Sequence, residues 1–404
     1  MNNILFVDDD PTILESYQEI LLPLQNAWKM EFASNAQRAF ESMSHQTYNV
    51  IVVDMHMPGI SGYDLLEWTR EHFPEITRIA ITGHLDSETR YKAIEASHQF
   101  LAKPFFPNAL ISTLERAVFL QELIWREDIK RLLTQLKTLP SLPSIYFEIL
   151  KELQSPQTTA KKIGQIISRD PSMTTKILQV VNSAFLGLSS SVSDPVQATT
   201  LLGIETIRDL AVSIHVFSQF SPVILEKLGI NFLWDHSMNV GSLARSIARM
   251  EKAKKEIVES SFTAGLLHDL GKLVLAENYP MQYYSAIGLA ARKNIEIYRA
   301  ESEIFGASHL QVGAYMTGLW GLPLPITEAI IYHNIPSQNP DSGFSPALAV
   351  HIANVLDHEI TPKRWGNVSP MLDMDYLKKL NLDSHVPAWR KLIDNLQQPA
   401  NKKY

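Results

Sequence analysis

Short apolar runs alternate with helical patterns along the first 120 residues. Residues 4–7 (Ile-Leu-Phe-Val) and 50–53 (Val-Ile-Val-Val) are apolar throughout, and residues 79–82 and 100–102 are further short candidates. A short run that is apolar on every residue fits a strand buried on both faces. Residues 12–22, 35–44 and 62–72, which lie between these runs, carry apolar side chains at helical spacing. Buried strands alternating with amphipathic helices make βαβ units and a parallel sheet. The pattern predicts a doubly wound α/β first domain over residues 1–120, with a five-stranded parallel sheet.

Residues 108–137 contain no Gly or Pro, and Leu110, Leu114, Ala117, Leu120, Ile124, Ile129, Leu132 and Leu136 recur at roughly helical spacing. Two readings stand for this stretch: the last helix of the first domain, or a longer helix that connects domains or pairs in a homodimer. Beyond Pro140 strand-like runs nearly vanish. Amphipathic helical stretches follow one another, punctuated by turns at Ser155-Pro156, Asp170-Pro171, Asp194-Pro195, Gly203 and Gly321. Residues 138–358 are expected to form an all-α domain, and residues 359–404 a polar tail, helical at most over 373–381.

Composition narrows the function. The chain has 404 residues and a net charge of −7, and all of the excess lies at the front. Residues 1–120 hold 8 Lys/Arg and 16 Asp/Glu, so 8 − 16 = −8 there and −7 + 8 = +1 in the remainder. No basic face for nucleic acid is expected from that balance, and the small cluster at 252–255 is flanked by acids. There is no cysteine, which excludes disulfides, thiolate metal sites and a cysteine nucleophile. No apolar run approaches the roughly 20 residues of a membrane span, and the N-terminus does not read as a signal peptide. A cytoplasmic protein with no membrane contact is expected.

The charged residues of the first domain fall where an open parallel sheet binds ligands, at the carboxyl ends of its strands. Asp8 and Asp9 follow the first strand, Asp54 the third, and Lys103-Pro104 the fifth, while Thr82 ends the fourth. Three converging carboxylates repel one another unless a hard divalent cation sits among them, and Mg²⁺ prefers oxygen ligands of this kind. A carboxylate beside Mg²⁺ can attack a phosphoryl donor, with the metal and a lysine offsetting the charge.

The pieces Ile4-Leu-Phe-Val-Asp-Asp-Asp10, Val53-Asp54-Met-His-Met-Pro-Gly59, Thr82-Gly83 and Lys103-Pro104-Phe105 together resemble the flavodoxin-like receiver domain of two-component response regulators. The resemblance implies Asp54 as phosphoacceptor, and Mg²⁺ held by Asp8, Asp9, Asp54 and the backbone carbonyl of His56. It further implies that Thr82 bonds the phosphoryl group, that Lys103 pairs with it, and that Phe100 is the switch aromatic. The implied partner is a sensor histidine kinase or phosphotransfer protein. Phosphorylation would then bias a two-state element, the face built around the last strand.

In the helical region, His268-Asp269 stands in Leu266-Leu-His-Asp-Leu-Gly-Lys272, among apolar residues. A buried imidazole and carboxylate need partners, and a divalent metal would satisfy both. His236, His309 and His333 each lie within or beside an apolar helical stretch. Each of these could equally be a satisfied core histidine. The pattern resembles the HD superfamily of metal-dependent phosphohydrolases, and more closely its relative the HDOD output domain, which has no established hydrolytic activity. Leu139-Pro-Ser-Leu-Pro143, Ile167-Ser-Arg-Asp-Pro171, 176–184, Leu202-Gly203, 265–272 and 313–323 carry that resemblance.

The departures bear on function. By the resemblance the closing Asp of the HD ligand set falls at Asn354, a neutral and poorer ligand, with Asp357 one turn further on. The His-His pair and Gly-Tyr-Pro segment of the cyclic-dinucleotide phosphodiesterase branch are missing, since His333 is followed by Asn334. The favoured expectation is a non-catalytic output module that acts on an unknown downstream signalling protein. His236, His268, Asp269, His309, His333 and Asn354 would then be a vestigial metal set, and metal there is doubtful. The alternative is a phosphorylation-gated hydrolase acting on a nucleotide or cyclic dinucleotide.

Overall fold

The structure is a computed structural model that describes residues 2–73, 75–83, 96–124, 129, 132, 144–153, 157–182, 192–230, 232–340, 343–360 and 369–397. The chain divides into two compact units, residues 1–130 with 317–324, and residues 131–316 with 325–404.

In the first unit the strands β1 (Asn2–Val7), β2 (Trp28–Ala33), β3 (Val50–Asp54), β4 (Thr77–Thr82) and β5 (Gln99–Ala102) form one parallel sheet in the order β2-β1-β3-β4-β5. The helices α1 (Pro11–Leu21), α2 (Ala36–His45), α3 (Gly62–His72) and α4 (Pro107–Ile124) connect and flank them. The strands bury both faces. Leu5, Val7, Ile51 and Val53 pack with Ala39, Met43, Leu65 and Leu66 of α2 and α3. Ile4, Phe6, Val50 and Val52 pack with Leu14, Leu110 and Leu114 of α1 and α4. This double burial is why the strands read as unbroken apolar runs. By contrast β2 (Trp-Lys-Met-Glu-Phe-Ala) lies at the sheet edge with Lys29 exposed, and no apolar run marks it.

Helix starts follow local capping chemistry. Asp10 accepts from the Thr12 amide at α1 and Asn35 from the Arg38 amide at α2, while Ser61 and Asp64 close a reciprocal capping box at α3. The predicted helix over 108–137 is described as α4 up to Ile124. Apart from 129 and 132, its continuation lies outside the described residues.

The second unit is helical, with α5 (Ser144–Leu153), α6 (Ala160–Ile167), α7 (Pro171–Val181), α8 (Pro195–Leu202), α9 (Ile204–Ser218), α10 (Pro222–Lys227), α11 (Leu233–Met250), α12 (Lys255–Leu267), α13 (Leu270–Asn278), α14 (Pro280–Lys293) and α15 (Ile297–Phe305). After these come α16 (His309–Leu319), α17 (Leu324–Tyr332), α18 (Pro346–Ile360), α19 (Met374–Lys379) and α20 (Val386–Gln397). At its centre α11 packs against α12 and α18, and α18 is buried from Pro346 through Asp357.

The expectation of a polar tail over 359–404 is corrected here. Trp389 of α20 is fully buried, and its indole Nε1–H donates to Glu251 Oε1 at 2.8 Å, so residues 374–397 belong to the packed body. The apolar positions Leu377, Trp389 and Ile393 are too widely spaced to stand out in a polar segment. No described helix is long and apolar enough to cross a membrane.

Candidate functional site

Strand register assembles the first site. Val7 pairs with Val53, Asp54 with Ile81, and Thr82 with Ala102, so the carboxyl ends of β1, β3, β4 and β5 finish level with one another. Asp8, Asp54, Thr82 and Lys103 therefore reach one crevice, beside the point where the strand order reverses. Lys103 Nζ lies 2.9 Å from Asp8 Oδ2 and 2.7 Å from Asp54 Oδ1. The other oxygen of each carboxylate accepts a backbone amide, Asp10 N–H at 3.0 Å and His56 N–H at 2.8 Å. The Lys103-Pro104 bond is cis.

Burial pushes the Asp8 carboxyl up from its ordinary value against the opposing pull of Lys103. Burial also works against the Lys103 charge, but Asp54 and Asp8 outweigh it and hold the ammonium above its usual range. Thr82 is fully buried, and its Oγ1 has no hydrogen-bond partner among the described residues. A buried hydroxyl without a partner is costly unless a group that is absent here occupies it. Asp9 and His56 are exposed at the rim. Two or three carboxylates with an adjacent exposed rim fit a Mg²⁺ ion well. Phe100 lies on β5, and its side chain is outside the described residues.

The second site grows from a helix junction. His268 closes α12 and Asp269 opens α13, so both side chains project into the core between helices. Gly271 lets this junction meet the start of α16: a Cβ there would sit 2.0 Å from the His309 carbonyl oxygen. The four imidazoles predicted from sequence converge on Asp269. His268 Nε2 and His236 Nε2 lie 3.5 and 3.6 Å from Asp269 Oδ2, and His309 Nε2 and His333 Nε2 lie 3.6 and 3.9 Å from Oδ1. The result is two overlapping triads, His236/His268/Asp269 and Asp269/His309/His333, that share one carboxylate.

Each ring is oriented through its far nitrogen. Nδ1 of His268 donates to the Gly265 carbonyl and that of His333 to the Ile330 carbonyl, both at 2.8 Å. Nδ1 of His236 meets Asp357 Oδ2 and that of His309 meets Glu301 Oε2, both at 2.6 Å. With Nδ1 of each ring engaged by a carbonyl or carboxylate oxygen, Nε2 is the nitrogen that points inward. His236 Nε2 and His268 Nε2 face each other at 3.2 Å. His309 Nε2, His333 Nε2 and Asp269 Oδ1 are buried without a hydrogen-bond partner among the described residues.

Lys272 Nζ, 2.6 Å from Asp269 Oδ2, supplies one positive charge. Burial alone would raise the Asp269 carboxyl, but His268, Lys272 and the other rings hold it well below the usual carboxylate range. Burial also pulls the His268 imidazole down to about 3 and that of His333 well below its ordinary value. Converging lone pairs with orphaned acceptors are the donor set of a divalent metal, and this set fits one.

At Asn354, which sequence places at the closing-ligand position, Nδ2 donates to Asn334 Oδ1 at 3.4 Å and Oδ1 is buried without a hydrogen-bond partner among the described residues. The carboxylate that reaches the cluster is Asp357, through His236. Glu301 was missed altogether, although a fully buried glutamate on the core side of an amphipathic helix is an informative signal.

Known proteins agree with this division. Residues 4–115 match the response regulator receiver domain and residues 139–336 the HDOD domain. An uncharacterized protein of Treponema pallidum is 27% identical over 199 residues, 49% of this chain and 38% of that protein. The hydrogenase transcriptional regulatory protein HoxA of Cupriavidus necator is 32% identical over 157 residues, 38% of this chain and 31% of that protein. The chain thus spans less than two fifths of either relative. A crystal structure of an HDOD domain protein with unknown function from Geobacter sulfurreducens aligns with a TM-score of 0.51 at 21% identity, covering 67% of this chain and 97% of that one, a likeness of fold alone. The chain joins a response regulator receiver domain to an HDOD domain, the make-up of a two-component response regulator.

Proposed function

We propose that phosphorylation of Asp54 by a histidine kinase or phosphotransfer protein switches the HDOD domain, which acts on a downstream protein without performing catalysis. The working boundaries are residues 1–120 for the phosphoacceptor domain and 138–358 for the output domain. A cytoplasmic location goes with this reading. The observation that carries it is the buried Thr82 hydroxyl, left without a partner beside the Asp8–Lys103–Asp54 cluster. An acyl phosphate on Asp54 would give that hydroxyl an acceptor and give Lys103 a second charge to neutralise. Asp8, Asp9, Asp54 and the His56 carbonyl would hold Mg²⁺, which offsets charge on the phosphoryl oxygens. Labelling of the full chain by acetyl phosphate, read as a shifted band on a phosphate-affinity gel, tests the assignment. Asp54→Asn should abolish the band, and a retained band would sink it.

A second reading concerns metal in the HDOD domain. The orphaned acceptors around Asp269 favour a bound divalent ion more strongly than the ligand order in the sequence does. Every donor is buried, with exposures from 0% to 5%, and this supports a closed, structural site over a catalytic one that needs an open position.

A further inference from the structure

The second unit contains a cavity of about 710 Å³ between α8, α9, α11 and α12, a volume in the range of small-molecule sites. None of the histidines of the Asp269 cluster lines it. Its walls carry three carboxylates, and each is already engaged. Arg208 forms ion pairs with Glu205 and with Asp209, the latter at 2.8 Å, and Asp209 also accepts from the Thr263 hydroxyl. Glu259 takes Lys255 at 3.5 Å.

The two arginines of α11 that line the cavity are different. Neither Arg245 nor Arg249 has a carboxylate partner among the described residues. Arg245 is half-buried, with its guanidinium carbon 4.4 Å from the centre of the Phe262 ring. That contact fixes its plane but leaves its N–H donors uncommitted. Burial and the neighbouring Arg249 pull the Arg245 guanidinium down to about 10, the expected strain on a cation without its anion. The pair sits four residues apart on one helix face, roughly 5–6 Å between Cβ atoms, so both can reach one anionic group or two adjacent ones. The first turn of α9 opens onto the same cavity, and its N-cap Gly203 offers no side chain to occupy the leading amides. That helix end adds to the arginine pair and does not by itself make a site. Phe262, Val258, Ile204 and Leu202 supply apolar lining, Phe262 through the ring that Arg245 covers.

From the uncompensated arginine pair in a cavity that is part apolar, we infer that the HDOD domain binds a nucleotide, with its phosphates on Arg245 and Arg249 and its base against the apolar lining. This site lies outside both clusters described above and does not depend on Asp54 chemistry. It gives the output domain a small-molecule input of its own.

The test is calorimetric titration of the full chain, in EDTA, with ATP, GTP, cyclic di-GMP and inorganic phosphate. The Asp54→Asn variant runs alongside to exclude the receiver crevice. One saturable site per chain is expected for at least one nucleotide, unchanged in Asp54→Asn. Arg249→Gln, at an exposed position, should weaken it about tenfold or more, the value of one hydrogen bond to a charged group. Arg245→Gln should weaken it at least as much. Lys293→Gln, whose partner is Glu303 on another surface, should change nothing. No saturable binding of any nucleotide at millimolar concentration would overturn the inference. So would affinity indifferent to both arginine substitutions, or phosphate binding as tight as the nucleotides.

Discussion

Lys272→Met isolates the electrostatics of the Asp269 cluster. Lys272 and Asp269 expose 6% and 1% of their side chains and meet at 2.6 Å, so the ammonium is a buried counter-charge to a buried carboxylate. Methionine keeps much of the stem and its packing but removes the charge. Breaking a buried pair from one side costs about 3–5 kcal/mol, because the other charge is left uncompensated. In a helical unit of this size each kcal/mol shifts the melting temperature by about 2–4 °C, so metal-free protein should lose about 6–20 °C.

Divalent metal adds a second, opposite-going expectation. In the native chain the ammonium competes with a cation for Asp269 Oδ2, and in the variant it does not. Mn²⁺ at about 100 times its dissociation constant stabilises by about 2.7 kcal/mol, and the tighter-binding variant should gain more than the native chain at equal concentration. The assay is thermal unfolding followed by circular dichroism, with EDTA and with added Mn²⁺. A loss below about 2 °C without metal would refute the charge argument. An equal or smaller Mn²⁺ shift in the variant would refute the metal site.

Three further outcomes follow from the geometry. Gly62→Ala would place a Cβ 2.1 Å from the Asp54 carbonyl oxygen, so α3 must move off β3; a loss of about 1–3 kcal/mol with slower acetyl phosphate labelling is expected, and unchanged labelling would count against it. Trp389→Ala empties a fully buried site and strips Glu251 of its indole donor, costing about 3–5 kcal/mol in urea unfolding of the full chain, whereas a loose tail would cost nothing. Burial lowers the imidazoles of His268 and His358 from 6.5 to about 3, so the unfolded chain takes up these protons first. Metal-free stability should therefore be full above about pH 6.5 and fall below it by about 1.4 kcal/mol per pH unit for each ring, a slope halved if one ring stays protonated in the fold and absent if both do.

How much was legible in the sequence depended on whether an element announced itself locally. Ile4, Val52 and Ile79 lie in strands buried on both faces, which no solvated segment imitates, so the sheet and its acidic rim were readable. The strand at Trp28–Ala33 sits at the edge with one face partly wet, and its Lys29 and Glu31 hide it. In the HDOD domain the histidines could be named, but their geometry could not. Whether Asn354 or Asp357 faces His236 turns on the phase of α18 against α11, a tertiary quantity. Glu301 serves His309 from the preceding helix, eight residues away, where no fixed local spacing governs the pairing. Trp389 is buried through one contact surface in an otherwise polar segment, so composition alone argued for a tail.

The same geometry bears on why a domain with a metal-like donor set would serve as an output module. A hydrolytic metal must keep a coordination position open to substrate and water. Here the shared carboxylate Asp269 is 1% exposed, His268, His309 and His333 are fully buried, and Asp357 of the equally buried α18 closes the set behind His236. The donors come from α11, the junction of α12 and α13, the start of α16 and the end of α17, so a cation bound among them would tie together helices distant in sequence and set how closely they pack. Such burial serves the cohesion of the domain. Signal-dependent contact would then belong to surfaces away from the cluster, such as the cavity faced by Arg245 and Arg249. The histidines would persist because they hold the helices that shape those surfaces. On this reasoning, replacing His309 should lower stability in the same proportion as it lowers metal content. A variant that lost metal but kept full stability would break the link.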